Sequence, residues 1–109
     1  MLFSGFELKE RLIRLRIKSE LITFDIAEYL GIEEDDVVNI ENGKSPLFAS
    51  VVHELSNLYG VSVIRLIKDD NYLIGVPSLK NCDIKDLRDI AKINTIALNL
   101  GQMKVNTTD

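Results

Sequence analysis

The sequence predicts an all-α fold. Apolar residues recur at helical spacing along nearly all of the 109 residues, whereas strict period-two alternation is absent except near residues 72–76. Both prolines, Pro46 and Pro77, fall where connections between helices are expected. At this length the chain can form one compact domain with a small appendage, but not two independent cores.

The periodicity predicts five short helices in the first domain, residues 1–68. Their expected ranges are 6–18, 23–30, 33–41, 47–59 and 63–67. Gly31 should end the second helix, because glycine adopts the left-handed conformation at low cost. The segment Asn42 to Pro46 is expected to form the turn after the third helix.

The rest of the chain is predicted to be a linker, residues 69–82, followed by a helical segment, residues 83–109. Asp83 is a suitable N-cap, and the helix should run from Ile84 to about Leu100, where Gly101 follows. So many of its positions are apolar that something must cover it. It either folds back on the first domain or pairs with a second copy in a two-fold dimer. We favour the dimer, and the candidate interface residues are Leu87, Ile90, Ala91, Ile93, Ala97 and Leu98.

Composition points to a cytoplasmic protein without catalytic machinery. Cys82 is the one cysteine, so neither an internal disulfide nor a cysteine metal cluster is expected. No apolar run approaches the length of a membrane span. No nucleophile–base pair or phosphate-cradling loop is evident, and we expect neither an enzyme nor a bound metal or cofactor. The net charge of −4 is unusual for a protein that binds nucleic acid.

The second and third helices have the features of a helix-turn-helix. Ala27 is small, as close crossing of the two helices requires, and Gly31 supplies the turn. Val37 and Ile40 are apolar at positions that would attach the third helix to the core. The phenylalanines also follow core spacing rather than the pattern of a base-stacking surface.

Three motifs together make the chain resemble the Cro/C1-type, or XRE, helix-turn-helix family. They are Ala-x-x-Leu-Gly-Ile at 27–32, Ile-Glu-Asn-Gly-Lys at 40–44 and Tyr-Gly-Val-Ser at 59–62. The resemblance covers residues 8–66 and implies a five-helix, lambda-repressor-like domain. It also implies a repressor-type transcription regulator that binds double-stranded DNA as a homodimer on a palindromic operator. Residues 86–100 are similar to the tails of prophage-type regulators encoded beside metallopeptidases.

The resemblance assigns roles to individual residues. Arg16 and Glu41 occupy the positions of a structural ion pair between the first and third helices. The third helix would lie in the major groove, and the base-contacting positions would be Glu33, Glu34, Asp35, Asp36 and Asn39. Phosphates would be bound at the start of the second helix and in the turn after the third, by backbone amides and side chains. Those positions are Thr23, Asn42, Lys44 and Ser45.

Four consecutive acids, Glu33 to Asp36, depart from the family pattern, as does Thr23 where glutamine is usual. Acids in a first helical turn interact favourably with the helix dipole, so they can be purely structural. A metal site is disfavoured because consecutive helical residues point in different directions. The acids would repel DNA unless basic residues of the first helix compensate. The alternative function is therefore a helix-turn-helix scaffold that binds a protein partner, as an antirepressor or antitoxin-like protein does.

Overall fold

The computed structural model describes the backbone of residues 5–106 and the side chains of residues 7–100. Within that range it has six α-helices and no strand, which confirms the prediction of an all-α helix-turn-helix fold with a C-terminal helix. The helices are α1 (Gly5–Lys18), α2 (Thr23–Leu30), α3 (Glu34–Glu41), α4 (Ala49–Tyr59), α5 (Val63–Lys68) and α6 (Ile84–Asn106). The predicted domains also included residues 1–4 and 107–109, which lie outside the described backbone.

Two helix boundaries differ from those predicted by more than one residue. Helix α4 begins at Ala49, two residues later than expected, because Phe48 has the extended conformation of an N-cap. Helix α6 passes through Gly101 to Asn106, although glycine was expected to end it. A glycine inside a helix costs only about 1 kcal/mol relative to alanine, so it does not by itself end a helix.

Left-handed glycines end α2 and α4, as the sequence predicts. Gly31 has φ of +73° and Gly60 has φ of +71°. A side chain at Gly60 would also meet Asn94 of α6, since a Cβ there would lie 3.2 Å from the Asn94 amide nitrogen. The Asn94 amide donates to the carbonyls of Asn57 (2.8 Å) and Leu58 (3.2 Å), near the C-terminal end of α4. This contact attaches α6 to α4.

Helix α6 folds back on the first domain and packs on α4 and α2. Leu87 and Ala91, which the sequence analysis assigned to a dimer interface, are instead buried within the chain. Ile90 is half-buried and packs against the same core. The alternative in which this helix covers its own domain is therefore the one observed, because α4 and α2 already supply the apolar surface that Leu87 needs.

The other face of α6 carries exposed apolar side chains. Ile93 is 66% exposed, and Ile96 and Leu100 are each 56% exposed. Ala97 is exposed as well, whereas Leu98 is half-buried. The apolar residues of α6 therefore lie on two separate faces, one inside the core and one in solvent.

Residues 69–82 are not an extended linker. They form turns, and the side chains of Tyr72, Val76 and Leu79 belong to the core. The Leu79 amide donates to the carbonyl of Ser19 at 2.8 Å, which attaches this segment to the end of α1. This connector therefore joins the first domain to α6 as part of one core.

Arg11 of α1 fixes the start of the connector. Its guanidinium donates to the carbonyls of Leu66 (3.1 Å) and Asp69 (2.8 Å) and to the Asp70 carboxylate (2.8 Å). The same group lies over the Tyr72 ring, 4.6 Å from its centroid. The Tyr72 hydroxyl is buried and has no hydrogen-bond partner among the described residues.

None of the helices within residues 5–106 combines the length and the apolar character that are needed to cross a bilayer.

Candidate nucleic-acid interface

Helices α2 and α3 form the helix-turn-helix. The turn begins at Gly31, whose amide donates to the Ala27 carbonyl at 2.8 Å. Ala27 and Val37 are buried where the two helices approach each other. Helix α3 packs through this one face, and its first turn and opposite face remain exposed.

Arg16 and Glu41 lie together, in the arrangement that the resemblance implies. The guanidinium donates twice to the Glu41 carboxylate, from Nε to Oε2 at 2.8 Å and from Nη2 to Oε1 at 3.0 Å. A third bond, from Nη1, reaches the Leu21 carbonyl at 3.1 Å. One arginine therefore joins α1 to the C-terminal end of α3 and to the turn before α2.

At the other end of α3, two residues that the sequence analysis placed on DNA bind each other. The Thr23 hydroxyl donates to the Glu34 carboxylate at 2.7 Å. Asp36 accepts from the Glu33 backbone amide at 3.2 Å, which satisfies a donor at the start of the helix. Of the four consecutive acids, the side chains of Glu34 and Asp36 are therefore already used in hydrogen bonds within the chain.

The turn after α3 uses its own backbone amides. Those of Lys44 and Ser45 donate to the Asn39 carbonyl at 2.8 and 3.1 Å, and that of Asn42 donates to the Val38 carbonyl at 2.9 Å. The resemblance implied that these amides bind phosphates. They instead donate to carbonyls of α3. The side chains of Asn42 and Lys44 remain exposed, while Ser45 is half-buried.

The charge around α2 and α3 is strongly negative. From residue 21 to residue 45 the sequence has seven acidic residues and one basic residue, Lys44. Arg14 and Lys18 lie about 160° around α1 from Arg16, the side chain that reaches α3. They therefore lie on the side of α1 opposite Arg16. Lys9, another basic residue of α1, lies beside the turn after α3, with its ammonium 3.6 Å from the position that a Cβ on Gly43 would occupy.

Apolar side chains are exposed at the beginnings of α2 and α4 and on α3. Phe24, Val38 and Phe48 are each more than a third exposed. The expectation that the phenylalanines belong to the core is therefore wrong for Phe24 and Phe48. Instead, Ile26 and Ala27 are the buried side chains of α2, and the buried face of α4 begins at Val52.

Within residues 5–106 no group of three His, Cys, Asp or Glu side chains is placed to hold a metal ion. Comparisons with protein-family models, with curated proteins and with solved structures gave no match to this chain.

Proposed function

We propose that this chain is a transcription regulator that binds a palindromic DNA operator as a homodimer, with α3 in the major groove. The observation that supports this is the placement of α3. It is anchored along its Val37 face and at Glu41, and it leaves its N-terminal turn exposed on a rigid scaffold. Helix-turn-helix proteins present their recognition helix to base edges in this way.

The acids of α3 determine which bases it can contact. A carboxylate accepts hydrogen bonds but donates none, and cytosine N4 is the donor that it can meet in the major groove. Glu34 and Asp35 therefore favour cytosine. Asn39, one turn further along, can form the paired hydrogen bonds that asparagine makes with adenine.

The same acids make the binding unusual in its salt dependence. Each phosphate neutralised by a basic side chain contributes about −0.9 to the slope of log affinity against log salt. Lys44 is the exposed basic residue in the turn after α3 and offers one such contact per copy, so a dimer should show a slope of only about −2. Affinity for arbitrary DNA should be low, since the electrostatic term that supports it is nearly absent.

The test is a selection from random duplex oligonucleotides with purified protein at low, stated salt, followed by affinity measurements from low to moderate salt. We expect one palindrome with cytosines in each half-site and a slope near −2. Lys44→Ala should flatten the slope, whereas Lys80→Ala, on the connector, should not. The proposal is overturned if no sequence is enriched above arbitrary DNA at the lowest ionic strength.

The homodimer would use the exposed face of α6. Ile93, Ile96 and Leu100 follow the i, i+3, i+7 spacing of a helix–helix contact, and all three are more than half exposed. The double variant Ile93→Glu/Ile96→Glu should sediment as a monomer with unchanged helix content. A dimer that survives both substitutions would place the interface elsewhere.

A second candidate is a helix-turn-helix scaffold that binds a protein through α2 and α3. The seven acids against one base in residues 21–45, with Phe24 and Phe48 exposed, favour it. A surface that is both acidic and apolar complements a basic, apolar segment of another protein, because opposite charges steer the encounter and apolar contact adds affinity.

One double variant distinguishes the two candidates. Glu34→Gln/Asp35→Asn removes two charges while the glutamine oxygen can still accept from Thr23. A DNA regulator should lose at least about tenfold in operator affinity and bind arbitrary DNA more tightly. Unchanged binding to both would show that α3 does not approach DNA and would favour the protein partner. Asp70→Asn/Asp89→Asn changes the net charge equally, far from α3 in sequence, and serves as the control.

A further inference from the structure

A polar cleft of about 480 Å³ lies where α6 meets α2 and α4. This volume is within the range of small-molecule sites, roughly 300–1,000 Å³. The polar side chains that line it come from three helices: Tyr29, Glu54, Asn57, Arg88, Lys92 and Thr95. None of them was singled out as a functional residue by the sequence pattern.

Asn57 is a largely buried residue whose side-chain amide keeps contact with solvent. The residue is only 9% exposed, yet its side chain makes no hydrogen bond with any described residue. An amide that is open to solvent and has no partner within the chain can exchange bound water for a ligand. Because Asn57 lines the cleft, a molecule bound there can supply the missing bonds.

Arg88 and Lys92 bring two positive charges to the same cleft. They are one helical turn apart on α6, both are exposed, and neither pairs with an acid among the described residues. Lys85, three residues before Arg88, differs because it is already paired with Asp89 at 2.9 Å. The two cations of the cleft are therefore available to a ligand.

Tyr29 and Glu54 close one side of the cleft without cancelling its charge. The Tyr29 hydroxyl donates to the Glu54 carbonyl at 3.0 Å. Burial, and then the charge of Glu54, raise the pKa of Tyr29 to about 12, so the hydroxyl stays protonated at neutral pH. With one acid against two bases, the lining has a net positive charge.

We propose that this cleft binds the carboxylate or phosphate group of a small metabolite. The Arg88 guanidinium can donate two parallel bonds to such an oxyanion, Lys92 adds a point charge, and the Asn57 amide donates from the floor. The ligand would join α6 to α2. The proposal does not depend on DNA binding, since the cleft does not include α3.

The test is an amide-resolved NMR titration of the full chain with sodium phosphate and, separately, with disodium succinate, at constant ionic strength. The spectra report the Asn57 side-chain amide directly. We expect saturable shifts there and at Thr95 with at least one of the two anions, and the anion that saturates identifies the group. Arg14 and Lys18, also one turn apart and exposed on α1, give an internal reference for nonspecific attraction.

Variants distinguish a specific anion-binding site from nonspecific attraction to two positive charges. Arg88→Gln/Lys92→Gln should weaken binding at least about tenfold, as loss of charge-assisted hydrogen bonds implies. Arg14→Gln/Lys18→Gln should change it less than about twofold. Shifts that do not saturate, or that are equal at both pairs of cations, mean an adventitious ion only and overturn the proposal. So does saturable binding that survives the Arg88/Lys92 substitutions.

Discussion

Two arginines of α1, five residues apart, each attach a distant segment to the same helix. Arg16 binds Glu41 at the end of α3, and Arg11 binds the connector after α5. A sequence motif predicts the first contact, whereas no motif predicts the second. The two regions differ in the kind of atom that accepts the hydrogen bonds.

Arg16 pairs with a side chain, whereas Arg11 binds mainly backbone. Glu41 is an acid at a fixed position relative to Arg16, so a sequence motif can record the pair. The carbonyls of Leu66 and Asp69 would be present whatever side chains those positions carried. A contact to the backbone leaves no signature in residue type, and only the folded chain reveals it.

The largest effect should come from Arg16→Met, which leaves Glu41 without its cation. Removing one partner of a buried ion pair costs about 3–5 kcal/mol. The Arg16 and Glu41 side chains are 17% and 20% exposed. Water therefore recovers part of that cost, and we expect the free energy of unfolding to fall by about 2–3 kcal/mol. Urea unfolding measures it, with Arg14→Met as the exposed control. A loss equal to that of the control would mean that the pair contributes nothing.

Arg11→Met should lower the free energy of unfolding by about 1–2 kcal/mol, because bonds to carbonyls and the stacking on Tyr72 are lost. The Asp70 carboxylate that loses its cation is 93% exposed and stays hydrated. The double variant with Arg16→Met should be additive within about 0.5 kcal/mol, because Arg11 binds the connector whereas Arg16 binds Glu41 and Leu21. Strong non-additivity would indicate that the two regions are one network.

Tyr72→Phe tests whether the ring or the hydroxyl matters beneath Arg11. The hydroxyl is buried without a partner among the described residues, so its removal should leave stability unchanged or raise it by up to about 1 kcal/mol. Tyr72→Leu, which removes the aromatic face as well, should be destabilising. If Tyr72→Phe is itself destabilising, the hydroxyl has a hydrogen bond in solution.

The smallest effect is expected for Asp70→Asn. Its carboxylate is 93% exposed, and ion pairs in that setting contribute about 0–1 kcal/mol. We expect the free energy of unfolding, measured by heat or urea, to fall by less than about 0.5 kcal/mol. The difference between the variant and the parent chain should not grow in 0.5 M salt. A loss as large as that of Arg11→Met would show that the carboxylate, rather than the carbonyls, fixes the connector.

For the site, the sequence indicated the acidic turn of α3 but not how its residues are used. Thr23 and Glu34 are eleven positions apart, and only the crossing of α2 and α3 brings them within hydrogen-bond distance. The cleft of Asn57 and Arg88 is similar in this respect. It exists because α6 folds back, which the sequence analysis considered but did not favour.

The sequence by itself determined the helices of the first domain, because apolar periodicity and left-handed glycines such as Gly31 act locally. It also determined that α6 must be covered, since an amphipathic helix cannot leave all of its apolar residues in water. Only the tertiary structure decided that Leu87 is covered by its own chain while Ile93 remains exposed. Periodicity specifies that a face of a helix is apolar. Which surface covers that face depends on how the other helices pack, and this is a property of the whole fold.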